Sequence, residues 1–183
     1  MEYVLIGLAA LLVTTGVIFY NMLVAKRQMV ENGWADIDVQ LKRRADLIPN
    51  LVDVVKGYAS HERNVLNEVI ERRNQALSAD QGAGREAAES AVSQGLSRLF
   101  ALAEAYPDLK ANEQFLELQS ELSKTEDEIS FARRFYNGAV RDYNTLIQSF
   151  PALLLAGPFG FRERDFFEIE EVDRLLPKVN LGS

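Results

Sequence analysis

Hydropathy divides the chain at Lys26. Before it, Tyr3 to Ala25 is an unbroken uncharged run. As a helix rising about 1.5 Å per residue it reaches roughly 34 Å, enough to cross a bilayer core of about 30 Å. After it, apolar positions recur every three or four residues, with Val30, Trp34, Ile37, Leu41, Ala45, Ile48, Val52, Val55 and Ala59 on one amphipathic face. The rhythm continues through Glu62, Leu66, Val69, Arg73 and Ala76, interrupted only by Gly57, which weakens a helix by about 1 kcal/mol relative to Ala. Pro49 lies inside the pattern, where it removes an amide donor and crowds the carbonyl of Ala45, so a kink is expected there.

Asp80 to Gly84 reads as a turn, and a second helix follows from Arg85 to Tyr106, with Ala88, Val92, Leu99, Ala103 and Tyr106 inward. Pro107-Asp108 ends it and can start the next. A long third helix then places Phe115, Leu118, Leu122, Thr125, Ile129, Ala132, Tyr136, Ala139, Tyr143, Leu146 and Phe150 at near-heptad, coiled-coil-like spacing, and Phe150-Pro151 closes it. The expected fold is all-α: an N-terminal transmembrane helix, then an antiparallel, up-and-down four-helix-type bundle of long amphipathic helices. Lengths bear on whether the chain turns near Gly57. One helix over 26–79 would run roughly 80 Å, of which the next helix could retrace only about 33 Å; a hairpin near Gly57–Ser60 gives segments of roughly 48, 30, 33 and 63 Å that fold up and down. The hairpin is preferred, although the unbroken phase of the seam speaks for continuity. Residues 1–25 are then the anchor, 26–150 the bundle, and 151–183 an apolar cap and acidic tail of the same domain.

Charge sets the orientation and narrows the chemistry. Glu2 precedes the apolar run, while Lys26, Arg27, Lys42, Arg43 and Arg44 follow it, which predicts the N-terminus outside and the C-terminal domain in the cytoplasm. A cleaved signal is disfavoured, because Met-Glu-Tyr is no basic n-region and Leu23-Val24-Ala25 no good cleavage site. A net charge of −7 speaks against nucleic acid as a partner. The lack of Cys excludes disulfides, thiolate metal sites and cysteine nucleophiles. His61 is the only histidine and Tyr58 stands three before it, so the paired Glu-x-x-His ligands of a di-metal bundle are missing. No nucleophile motif accompanies it, and neither an enzyme nor a cofactor is expected.

Three groups stand out as candidate structural or interaction residues. Arg44, Asp46, Pro49, Asn50 and Asp53 surround the proline, either bracing a fixed bend or presenting Arg44 and Asp53 to another protein. Tyr136-Asn137 and Tyr143-Asn144, seven apart, share one helix face, where they order the core or join protomers. The segment Pro151 to Phe161, ending in Phe159 and Phe161, is too apolar for an ordinary loop; it either caps the bundle or offers a patch to a partner or to lipid.

The membrane helix followed by Tyr20-Asn21, Arg43-Arg44-Ala-Asp46-Leu-Ile-Pro49-Asn50-Leu51-Val52, Gly57-Tyr58-Ala-Ser-His61-Glu62, Glu126-Asp-Glu-Ile129 with Ala132-Arg133, the two Tyr-Asn pairs, and Phe150-Pro151 leading to Phe159-Gly-Phe161 resemble the LemA family. The resemblance implies a bacterial, membrane-tethered, mainly antiparallel helical bundle with no catalytic residues or cofactor to carry over. The expected function is a non-enzymatic scaffold or adaptor of the bacterial inner membrane. It holds the bilayer through residues 3–25, self-associates as a homo-oligomer and engages other membrane proteins. The alternative is a membrane-shaping or envelope-stress component that contacts lipid through Pro151–Phe161.

Overall fold

The computed structural model describes residues 1–80 and 82–167, and these are helical with no strand among them. α1 (Glu2–Tyr58) runs for 57 residues, about 85 Å at helical rise, and contains the apolar run and the first amphipathic seam without interruption. It passes through Pro49 and ends one residue after Gly57, and α2 (Arg63–Ser78) begins after a short turn. The hairpin near Gly57 is therefore present, and a single helix over 26–79 is not. α3 (Ala83–Ala103) stops short of Tyr106. The one-turn α4 (Pro107–Lys110) separates it from α5 (Glu113–Gln148), whose start is set by the Asn112 side chain accepting from the Phe115 amide at 2.9 Å. The one-turn α6 (Leu153–Ala156) follows the cis Phe150–Pro151 peptide bond. Since α5 ends before it, Phe150 is exposed rather than part of the seam. Of the acidic tail, residues 168–183 lie outside the described residues.

α5 packs along α1, and α2 packs on α3. Contacts between α1 and α5 join Lys26 to Asp142, Gly33 to Tyr136, Arg44 to Glu126 and Tyr58 to Asn112, so numbers rise along one helix as they fall along the other. The interior falls into two apolar clusters. The distal one contains Ile48, Leu51 and Val55 of α1, Leu66 and Val69 of α2, Val92 and Leu99 of α3, and Phe115 to Leu122 of α5. The proximal one contains Leu23, Val30, Ile37 and Leu41 of α1, Ile129 to Ile147 of α5, and Ala152, Ala156, Phe161 and Phe167. α2 and α3, about 24 and 32 Å long, are too short to accompany α1 and α5 along their length. Beyond their turn, the C-terminal segment takes over as cover for the α1–α5 pair.

The amphipathic seam read from the sequence is the buried one: Val30, Ile37, Leu41, Ala45, Ile48, Val52, Val55 and Ala59 are all inside, and only Trp34 is half-buried. The apolar run is a helix long and apolar enough to cross a membrane. Its side chains up to Ile18 are mostly exposed, yet Leu23, still inside the run, is fully buried in the proximal cluster. No break in α1 marks the boundary at 25/26.

Candidate interaction site

Between the two apolar clusters lies a layer of charge centred on Arg44. Its position on the inner face of α1 leaves the side chain 1% exposed, so it is not available to another protein. Nη1 donates to Glu126 Oε2 on α5 at 2.6 Å and to Ser93 Oγ on α3 at 2.9 Å. Nη2 donates to Glu89 Oε2 at 2.7 Å and to the Glu89 carbonyl at 3.3 Å, both on α3. Glu89 is itself buried, and its other oxygen accepts from Arg85 Nε at 2.9 Å, while Arg85 reaches Asp38 of α1 at 3.1 Å. A buried ion pair offsets desolvation only when geometry and extra hydrogen bonds are good, so its main product is register rather than net stability. Here one guanidinium fixes α1, α3 and α5 together. Sequence alone does not single out Glu89 or Ser93. The available signal is that Glu89 sits in phase with Val92, Leu96 and Leu99, a carboxylate on an apolar face.

Arg133, next along α5, has its Nε buried without a hydrogen-bond partner and its guanidinium 4.6 Å from the centre of the Phe167 ring. Burial pulls its pKa down from the usual value, Glu126 pulls it back up and Arg44 lowers it.

The Pro49 group resolves into a brace. The Ala45 carbonyl, which would have accepted the amide that proline lacks, accepts instead from Arg73 Nε of α2 at 2.8 Å. Asp46 stands 3.9 Å from Arg73, whereas Asn50 and Asp53 are exposed on α1.

The Tyr-Asn pairs hold the segment that comes after α6. Asn144 accepts from the Arg164 amide at 3.0 Å and donates to its carbonyl at 2.8 Å. Asn137 does the same for Phe167 at 2.8 and 3.0 Å. Tyr136 donates to the Asp165 carbonyl at 3.0 Å, and Tyr143 shares a backbone hydrogen bond with Arg162. Seven residues of helix advance about 10.5 Å and three of extended chain about 10 Å, so a heptad step on α5 matches a three-residue step on the strap. Burial raises the pKa of both phenols, and the nearby Arg164 opposes it. At the level of Lys26, a 3.0 Å hydrogen bond from its ammonium holds the Asp142 carboxyl below the ordinary range.

Where the α2–α3 hairpin stops, an open cleft of about 1000 Å³ lies between it and the strap, with Trp34, Tyr136 and Phe166 on its walls and Glu31, Asp38 and Asp165 at its rim. Phe159 and Phe161 belong to the cap: both rings stack edge-on against Tyr20, at 5.1 and 5.7 Å, and Arg27 lies 5.2 Å over Phe161. A separate exposed apolar face is made by Val39 of α1 with Phe131 and Phe135 of α5. His61 is exposed, and no group of three or more metal-ligating side chains occurs among the described residues.

The model of the LemA family matches residues 33–181. The chain is 24% identical to Magnetosome protein MamQ of Magnetospirillum gryphiswaldense, covering 85% of this chain and 66% of that protein. It is 25% identical to Magnetosome protein MamQ 2 of Paramagnetospirillum magneticum, over 81% of this chain and 64% of the other. It is also 25% identical to Protein LemA of Metamycoplasma hominis, over 90% and 78%. The chain thus spans just under two thirds of the magnetosome proteins it matches. With the apolar N-terminal helix, these matches support a membrane-anchored bacterial protein.

Proposed function

The chain belongs to the LemA family, and on that premise we propose that it is a non-enzymatic scaffold of the bacterial cytoplasmic membrane. In this reading residues 3–25 span the bilayer with the N-terminus outside, and an antiparallel, up-and-down four-helix-type bundle stands in the cytoplasm as an oligomer that engages other membrane proteins. The basic residues Lys26 and Arg27 directly after the apolar run, joined further along by Lys42 and Arg43, support the orientation.

The observation that carries the scaffold reading is the face formed by Val39, Phe131 and Phe135, all at least half exposed. Val39 lies about 20 Å along α1 past Lys26, out of reach of the bilayer core, so lipid does not cover this patch and protein does. Its surroundings carry both signs: Asp36 and Glu128 lie beside it, and Arg134 sits 4.5 Å over the Phe131 ring. A second copy related by a twofold axis brings the acids of one face to the arginine of the other. The test is cross-linking of the full chain in its native membrane through Val39→Cys, the protein having no other thiol. A dimeric product lost on adding Phe131→Glu is expected. Only monomer, together with monomeric sedimentation in detergent, counts against self-association.

A further inference from the structure

We propose that the cap, Phe150 to Phe161, is a second membrane contact that enters the leaflet on the bundle side of the bilayer. The proposal rests on the anchor reading and adds to it a site at which the bundle itself meets lipid.

Lengths make the first argument. The uncharged run is bounded by Glu2 and Lys26, and Tyr20 is already stacked on Phe159 and Phe161 of the cap. Only Tyr3 to Ile18 is therefore free to be surrounded by lipid, and that stretch is about 24 Å long, some 6 Å less than a hydrocarbon core of about 30 Å. The missing depth lies at the level of Phe19 to Leu23, where the cap packs against one face of α1 and Tyr20 and Met22 stay exposed on the rest. Any tilt of the helix enlarges the shortfall. Burying α1 to the full thickness thus carries the cap into the leaflet by about the 5–10 Å typical of an interfacial apolar segment.

Composition and backbone make the second. From Ser149 to Phe161 there is no charged residue. Phe150 is 79% exposed, Leu154 63%, Phe159 58% and Leu153 53%, while Ala152, Ala156 and Phe161 face the core. Lipid also demands that backbone polar groups be satisfied internally. Seven amides of the cap, at Leu153 to Ala156 and at Phe159 to Phe161, donate to carbonyls within residues 149–157, and Pro151 and Pro158 carry no N–H. Charge resumes at the rim, with Lys26 and Arg27 on α1 and Arg162 after the cap, at the height where phosphate headgroups begin. The surface is continuous with the anchor, which selects lipid over protein as its occupant.

The cysteine-free chain allows the test on full-length protein in vesicles of phosphatidylcholine and phosphatidylglycerol. Single spin labels are attached to Leu12→Cys, Phe150→Cys, Leu154→Cys and Lys124→Cys, with helical content checked by circular dichroism. Collision with oxygen, which favours lipid, is compared with collision with a water-soluble nickel chelate. The expected result is Leu12 deepest, Phe150 and Leu154 at an interfacial depth of about 5–10 Å, and Lys124 in water. Chelate access at Phe150 and Leu154 equal to that at Lys124, with Leu12 still deep, overturns the cap and leaves the anchor standing. An aqueous reading at Leu12 overturns both. Shielding at Leu154 that vanishes when each vesicle holds one copy identifies a second chain as the occupant and also overturns the proposal.

Discussion

Arg44 and Arg73 show what one long side chain does when it reaches a polar group that its neighbours in sequence cannot serve. Truncating Arg44 leaves Glu89, 4% exposed, with Arg85 as its remaining ion-pair partner among the described residues. Arg44→Ala is therefore expected to cost about 3–5 kcal/mol, the range for breaking a buried pair from one side, read as a lowered unfolding midpoint of the detergent-solubilised chain. Replacing Arg44 and Glu89 together by Met and Leu is expected to restore much of it, because the buried carboxylate goes with its partner, Arg85 keeps Asp38, and Glu126 is half exposed to water. Arg73 works differently: its bond to the Ala45 carbonyl matters because Pro49 withholds an amide. Arg73→Met is expected to cost about 1–3 kcal/mol, and clearly less in a Pro49→Ala background, where residue 49 regains its own N–H. Equal costs in the two backgrounds would remove the brace. The sequence marks Arg44 and Pro49 as unusual within an amphipathic seam, but their partners lie on other helices, and nothing local in Glu89, Ser93 or Arg73 announces which gap each one fills.

At the scale of elements, spacing is legible and closeness is not. The heptad recurrence of Tyr-Asn on α5 is visible in the sequence, yet its partner is an extended strap with no periodic signal of its own. Each asparagine closes two hydrogen bonds on one residue of the strap. Asn137→Ala and Asn144→Ala are expected to raise amide exchange at Phe167 and Arg164 respectively, while leaving α2 and α3 protected. The tyrosines add a pH limit. Burial raises their folded pKa above the ordinary value of 10.0, so their contribution is complete below about 10 and is lost as pH rises through the folded values. Absorbance titration should show two late-ionising phenols that become ordinary on unfolding. Helix approach is set by two glycines that periodicity does not distinguish from others. A Cβ on Gly33 would come 3.2 Å from the Tyr136 Cα, whereas one on Gly95 would meet the Arg72 Cδ, the middle of a flexible chain, at 3.2 Å. Gly33→Ala is therefore expected to lower the melting temperature despite a gain of about 1 kcal/mol in helix propensity, and Gly95→Ala to leave it unchanged or raise it.

For the whole molecule, charge and hydropathy locate an anchor ending at Ala25, but the packed body of the protein starts earlier. Leu23 is fully buried against the cap and α5, and Phe19 and Tyr20 lean on the same assembly. Hydropathy cannot separate a leucine that faces lipid from one that faces Ala152 and Ala156, because both environments are apolar; only the return of α5 and α6 to that height does so. Since α1 is one continuous helix, its lipid-facing and core-facing parts are locked in rotation, and each inserted residue turns the N-terminal part of the helix by about 100° relative to the C-terminal part. One alanine inserted after Arg27 therefore carries Leu23 and Tyr20 away from the cap while Val30 and Ile37 stay seated on α5. One inserted before Gly16 turns only residues that the bundle does not touch. The first insertion is expected to lower the unfolding temperature of the bundle and raise amide exchange over 150–161, and the second to change neither. If both are equally silent, the anchor and bundle meet at Lys26 as hydropathy alone would place them; if the first alone is damaging, the folded body reaches up to Phe19, where the cap sits.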